Sequence, residues 1–127
     1  MRRSERAALV AEILVTYVVV RWRVRRLDLP RAVATLRDAG VRRGPLAGED
    51  RRLAAIVERV LAKLPGDSRC LTRSLVVLTM LARRGTAVRL VLAARPSPEF
   101  AAHAWVERDG EALLPMRGFD DARLTEL

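Results

Sequence analysis

The chain has 127 residues, room for one domain with a single modest core, and half of them are hydrophobic, which excludes a disordered chain. One cysteine and one histidine exclude a disulfide framework and a structural zinc site, and they favour a reducing cytoplasm. The net charge of +9 would suit nucleic acid, but the arginines are spread through every helix and aromatic residues make up only 4%. We therefore expect a solvated basic surface and no nucleic-acid partner, with an acidic peptide or partner protein as the lesser alternative.

The first predicted element is a helix from about Ser4 to Leu27. Its apolar run, residues 7–20, contains Glu12 and is shorter than the roughly 20 residues that a membrane span requires. We therefore expect no membrane contact, with peripheral attachment of this helix as the lesser alternative. The side chains that should face the core recur at helical spacing: Leu9, Ile13, Tyr17, Val20 and Val24.

Two more helices are predicted before the middle of the chain, over 28–40 and 49–64, joined by a linker rich in glycine and proline. The second of these carries a clear apolar stripe, which is typical of a helix packed on a core. Neither half of the chain has a full core of its own. We therefore treat 1–127 as one domain in which residues 1–64 are helical support and residues 65–127 carry the chemistry.

The chemical half begins with a predicted helix that contains the single cysteine. Asp67 or Ser68 can serve as its N-cap, so Cys70 falls in the first turn, and Gly85 ends the helix. The helix rises by roughly 22 Å. The next segment, 86–94, alternates as a strand and covers roughly 26–30 Å, so it can return the chain to the end where Cys70 lies.

A second strand is predicted over 101–108, starting from that same end, with His103 near its beginning. Cys70 and His103 should therefore be neighbours in space. A thiolate is the nucleophilic form of cysteine, and a histidine beside it can hold the ion pair and protonate a leaving amine. The alternative is a buried structural cysteine with an unrelated histidine.

Residues 109–110, Asp-Gly, predict a two-residue hairpin turn that leads into a third strand at 111–114. Beyond that strand, Phe119 and Leu124 are expected to dock the tail on the body. Pairing outward from the turn places His103 near Met116, with His103, Trp105 and Glu107 on the same face of their strand. The predicted fold class is therefore α+β: N-terminal helices, a nucleophile-bearing helix and then a small antiparallel sheet.

Two motifs in this half carry a family resemblance. Their residues are Cys70, Leu71, Arg73, Ser74, Leu75, Arg83, Arg84 and Gly85, followed by Ala102, His103, Ala104, Trp105, Val106, Glu107, Asp109 and Gly110. In this order and spacing they resemble the small bacterial leader peptidases of lasso-peptide biosynthesis, which belong to the transglutaminase-like, papain-related superfamily. The close match covers about the last half of the chain, whereas the first half is similar to the family only in size and helical character.

The resemblance implies a cysteine peptidase that removes the leader from a ribosomally made lasso-peptide precursor. Cys70 would attack the scissile carbonyl, His103 would be the base and then the acid, and a backbone N–H at the helix start would help to hold the oxyanion. It implies no metal or cofactor. It also implies two partners beside the precursor peptide, namely a separate leader-recognition protein and a ring-closing cyclase.

The sequence departs from the family at the aspartate that orients the histidine, whose position falls at Pro115 here. We expect Asp120 to take its place, with Asp121 and Glu99 as the other carboxylates that could reach His103. This departure motivates an alternative function, a non-catalytic scaffold of the same fold that binds precursor or partner proteins. A basic nucleic-acid-binding domain, suggested by charge alone, is the third possibility.

Overall fold

The structure is a computed structural model, and it describes residues 2–38, 50–64, 70–96 and 99–127. Outside these ranges lie several features predicted from the sequence: the end of the second helix at Gly40, the linker, the start of the third helix at Glu49, and the N-cap at Asp67 or Ser68.

The described chain consists of helices followed by strands, so the predicted α+β class is confirmed. The helices are α1 (Arg3–Arg26), α2 (Leu29–Arg37), α3 (Asp50–Ala62) and α4 (Cys70–Arg83), and the strands are β1 (Arg89–Arg95), β2 (Ala101–Arg108), β3 (Glu111–Ala112) and β4 (Arg123–Glu126).

Helix α4 is the centre of the core. It contacts α1, α2 and α3 as well as β1 and β2. Residues 74–81 are all buried, as expected of a helix that is apolar on every side. The two buried hydroxyl groups in this stretch, on Ser74 and Thr79, donate to carbonyls one turn back, Ser74 to Cys70 and Thr79 to Leu75, each over 2.7 Å. Since the helix is held on all sides, the position of its first residue, Cys70, is fixed by the core.

A buried cluster of charges joins α1 to the end of α4. The carboxylate of Glu12 accepts from Arg84 at 2.7 and 3.1 Å and from Arg83 at 3.2 Å, and Arg83 also donates to Thr16 at 2.9 Å. The three charged side chains are only 6–10% exposed. Buried charges are tolerated when they are paired in this way, so the acidic residue within the apolar run of α1 is an anchor. In the part of the chain described here, no helix combines the length and hydrophobicity that crossing a bilayer requires.

The sheet is antiparallel with strand order β3-β2-β1-β4. Glu107 lies opposite Ala112, and Arg108 lies opposite Glu111. Continuing this register brings His103 level with residue 116, as the hairpin prediction required. Strand β3 is shorter than predicted, however, because regular pairing ends at Ala112 instead of continuing to 114.

Strand β4 was not predicted. The sequence suggested only that Phe119 and Leu124 dock the tail on the body. Phe119 does pack against the core, but Leu124 is 71% exposed, and residues 123–126 pair with the outer edge of β1. The segment lacks the apolar alternation that identifies a strand. It forms because the edge of β1 offers unpaired backbone groups, and the tail satisfies them.

Candidate active site

Cys70 and His103 come from different elements and line the same small cavity. Cys70 is the first residue of α4, and His103 is the third residue of β2. The Sγ of Cys70 accepts a hydrogen bond from the backbone N–H of Ala104, the residue after His103, over 3.3 Å. Cys70 thus contacts the residue next to His103, although Cys70 and His103 are 33 positions apart in the sequence.

The short β3 strand explains why the N–H of Ala104 is available to sulfur. The carbonyl of Val106 accepts from the N–H of Leu113 on the chain that follows β3. Ala104 is two residues back along β2, so its backbone polar groups face the same edge. Regular pairing on that edge ends at Ala112. The N–H of Ala104 donates to the Sγ of Cys70 instead of to a strand. The shortened strand thus makes room for the thiol at the edge of the sheet.

The imidazole of His103 is held by a backbone carbonyl and two rings. Its Nε2 lies 2.6 Å from the carbonyl oxygen of Pro115. The ring centroids of Trp105 and Phe119 lie 5.7 and 5.5 Å from that of His103. A carbonyl can only accept, so Nε2 carries the proton, and in the neutral ring Nδ1 is the nitrogen left to act as a base.

Asp120, the carboxylate expected to orient His103, is exposed on the segment between β3 and β4. Its backbone carbonyl accepts from Nε of Arg123 over 3.3 Å. Within the four described ranges, its carboxylate makes no hydrogen bond to His103. Glu99, also exposed, makes none there either. The role of Asp120 therefore stays a prediction.

Asp121, the third carboxylate that the sequence offered as a partner for His103, is bound to another residue. It accepts from the Arg95 guanidinium over 2.6 Å, and the same guanidinium lies 5.0 Å from the ring centroid of Phe119. The hydrogen bond and the charge of Arg95 hold the pKa of the Asp121 carboxyl below its ordinary value. This pair therefore fixes the loop that carries Phe119, one of the two rings against His103.

A polar network supports the ring of Trp105, which is fully buried beside His103. The indole Nε1 donates to Glu107 over 2.8 Å, and Arg123 donates to the same carboxylate over 2.6 and 3.0 Å. Burial alone would raise the pKa of Glu107, but the hydrogen bonds from Arg123 and Trp105 outweigh it and lower that pKa. The expected common face of His103, Trp105 and Glu107 is confirmed by these contacts. The sequence did not identify Arg123, which lies on the strand it missed.

The cavity between Cys70 and His103 has a volume of only about 20 Å³, room for roughly one water molecule. Glu58 and Arg73 form an ion pair of 3.7 Å on its wall. Any ligand much larger than a water molecule must therefore lie across the mouth of this notch, with only a small group inside it. Among the described residues, no group of three or more His, Cys, Asp and Glu side chains is placed to hold a metal ion.

A larger groove, of about 540 Å³, lies at the opposite end of β2 beside the 109–110 turn. Its described lining includes charged side chains such as Arg37, Arg89 and Glu126, but no cysteine, histidine, serine or threonine. Its described lining therefore offers no thiol, imidazole or hydroxyl group, whereas the small notch holds the only cysteine and the only histidine of the chain.

A family model described as transglutaminase-like superfamily matches residues 14–124, a range that contains both Cys70 and His103. No curated protein and no solved structure gives a significant match. The family match extends from α1 into β4, so it covers the supporting helices as well as the motif-bearing half. The chain belongs to the transglutaminase-like superfamily.

Proposed function

We propose that the chain is a cysteine peptidase that removes the leader from a lasso-peptide precursor, with Cys70 as nucleophile and His103 as general base and acid. The observation that carries this proposal is the shared notch, in which Cys70 Sγ accepts from the residue next to His103. Membership of a superfamily that generally contains transglutaminases and cysteine peptidases supports the choice of nucleophile. The resemblance of the two motifs to lasso leader peptidases supports the choice of substrate.

The first step forms an acyl-enzyme. Nδ1 of His103 takes the thiol proton of Cys70, and the N–H of Ala104 stabilises the negative charge on sulfur. The thiolate attacks the scissile carbonyl carbon. The oxyanion is stabilised at the start of α4, where the first N–H groups have no acceptor within the helix. The imidazolium then gives its proton to the departing amine, which leaves a thioester on Cys70.

The second step returns the enzyme to its starting state. His103 takes a proton from water, the hydroxide attacks the thioester carbonyl, and the thiolate leaves and is reprotonated. The net reaction consumes one water and releases a carboxylic acid and an amine. The Pro115 carbonyl keeps Nε2 protonated and the ring oriented throughout. It lacks the full charge of a carboxylate, so it stabilises the imidazolium less than an aspartate would.

We propose the same partners that the resemblance implies, a leader-recognition protein and a ring-closing cyclase. The small notch supports this, because it offers room for the reacting group but not for extended leader contacts. Full-rate cleavage of the precursor by the purified chain alone would contradict a need for a recognition protein.

The test is co-expression of precursor, recognition protein and this chain, with the released leader measured by mass spectrometry. Cys70→Ala and His103→Ala should each abolish cleavage. Thr72→Ala, on the same helix turn, is the matched control and should leave it unchanged. Cleavage that survives in Cys70→Ala would exclude the peptidase.

A non-catalytic scaffold is the second candidate. Two observations favour it: the notch is small, and within the described residues no carboxylate bonds to His103. If the chain is a scaffold, Cys70→Ala should bind precursor or partner as well as the unaltered chain does. Neither the unaltered chain nor any variant should release the leader.

A further inference from the structure

The outward face of α1 is apolar and uncovered. Leu14, Val15, Val18 and Trp22 are 37–64% exposed. The opposite face of the same helix is buried, with Ile13 and other apolar side chains in the core. Helix α1 is therefore apolar on two opposite faces, and the fold covers only one of them.

The exposed face is continuous along the helix. Ala7, Ala8 and Ala11 extend it toward the N-terminus. From Ala7 to Trp22 it measures roughly 22 Å at about 1.5 Å per residue. Soluble proteins seldom expose a contiguous apolar surface of this extent without a partner for it.

Positive charge stands at both ends of this face, and the one exposed carboxylate of α1, Glu5, lies among the arginines at the N-terminal end. The exposed arginines are Arg2, Arg3 and Arg6 at one end and Arg21, Arg25 and Arg26 at the other. Of the two carboxylates on α1, Glu12 is buried against Arg83 and Arg84, and Glu5 accepts from the backbone N–H of Arg2 over 3.4 Å. The occupant of this face should therefore be apolar in the middle and anionic around it.

The charges argue against a second copy of this chain as that occupant. A symmetric pair formed through this face would bring arginine-rich ends together, whether the helices ran parallel or antiparallel. A protein partner fits less well than a bilayer, because protein interfaces carry about one hydrogen bond per 100–200 Å² and the stretch from Ala7 to Val18 offers no exposed polar side chain.

We propose that α1 lies flat on an anionic bilayer surface through this face. The aliphatic side chains would enter the boundary of the acyl chains, and the arginines at both ends would contact lipid phosphates. Trp22 stands at one end with the Arg26 guanidinium 5.6 Å from its ring centroid, the pairing of ring and cation that suits the headgroup region. From the sequence, peripheral attachment is the lesser alternative. The structure favours it because it shows which side chains of α1 face outward. Such attachment does not depend on the peptidase activity.

The first test uses the full chain with vesicles of phosphatidylglycerol and phosphatidylcholine, or of phosphatidylcholine alone. Co-sedimentation measures partition, and tryptophan emission reports insertion, because Trp22 is 57% exposed while Trp105 is fully buried and supplies a constant background. Partition into the anionic vesicles with a blue shift, and weak partition into neutral ones, is the expected result. Failure of the chain to partition into anionic vesicles overturns the proposal and leaves an acidic partner protein as the occupant.

The second test separates the apolar face from bulk charge. Val18→Glu and Leu124→Glu each add one negative charge at a similarly exposed position, 64% and 71% exposed, but Leu124 lies on β4. Val18→Glu should lower the partition coefficient by at least about tenfold, and Leu124→Glu by no more than about threefold. Equal losses overturn the proposal. If Val18→Glu does not fold, insertion is tested in the unaltered chain by measuring how far brominated lipid quenches the fluorescence of Trp22. Absence of quenching would contradict insertion.

Discussion

His103 and Pro115 are joined by a 2.6 Å hydrogen bond from the imidazole Nε2–H to a backbone carbonyl. A backbone carbonyl therefore occupies the position beside the imidazole that a carboxylate takes in the family this chain resembles. The main chain at this position does not depend on the side chain, so a proline can stand there without loss of the acceptor. This contact also fixes the tautomer in which Nδ1 is free to accept a proton.

Asp120→Asn decides between the Pro115 carbonyl and the Asp120 carboxylate as the orienting group. Asparagine removes the charge and keeps the size. Since the carbonyl already bonds to Nε2, we expect the rate of leader release to stay within about twofold of the unaltered chain. A loss on the order of a hundredfold or more would instead assign the role to Asp120.

Phe119→Ala tests whether the aromatic neighbours position the imidazole. The ring of Phe119 lies 5.5 Å from that of His103, centroid to centroid, and its removal frees one side of the imidazole. We expect kcat to fall on the order of tenfold with a smaller change in KM, because orientation is lost and binding is not. Phe100→Ala is the control, since Phe100 is 77% exposed, and it should leave kcat unchanged. Equal effects of the two changes would contradict the positioning role.

Glu12→Ala should destabilise the fold strongly. It leaves Arg83 and Arg84 buried without the carboxylate that they share, a loss that typically costs about 3–5 kcal/mol. Glu5→Ala removes an exposed carboxylate from the same helix and should cost less than about 1 kcal/mol. Urea denaturation of both variants measures the difference in free energy of unfolding, and similar values for the two would disprove an anchoring role for Glu12.

Glu107 should make stability depend on pH in the acid range. Its folded-state pKa is lowered, so its contribution is fully present above the ordinary value near 4.5 and is lost as pH falls through the folded value. Glu107→Gln should cost about 1.5–3 kcal/mol at neutral pH, because it weakens hydrogen bonds to a charged partner. The difference in unfolding free energy between the unaltered chain and Glu107→Gln should shrink as the pH falls through the folded-state pKa of Glu107. A gap that is the same at neutral and acid pH would contradict this account of the carboxylate.

The helices, the two central strands and the register of the hairpin could be predicted from the sequence because each has a strong local signal. Helical periodicity marks α4, and the Asp-Gly turn at 109–110 fixes which residues face each other across β2 and β3. The proximity of Cys70 and His103 followed from element lengths alone, because a helix and a returning strand of similar length bring the chain back to its starting end.

The remaining features are set by tertiary contacts that leave no local pattern. Strand β4 forms on the free edge of β1 although its own side chains are exposed. The acceptor for His103 is a main-chain carbonyl, which no residue type encodes. Similarly, the role of Arg123 at Glu107 depends on the pairing of β4, so it could not be recognised before that strand was known.

Alkylation of the thiol as a function of pH tests whether Cys70 and His103 act as one unit. The chain has a single cysteine, so all incorporated iodoacetamide reports on Cys70. An isolated cysteine reacts as its thiol ionises near about pH 8.5. We predict that the unaltered chain is alkylated rapidly at neutral pH, where an isolated thiol reacts slowly, and that His103→Ala loses this rapid reaction. Slow alkylation with the same ordinary profile in both proteins would contradict a catalytic pair.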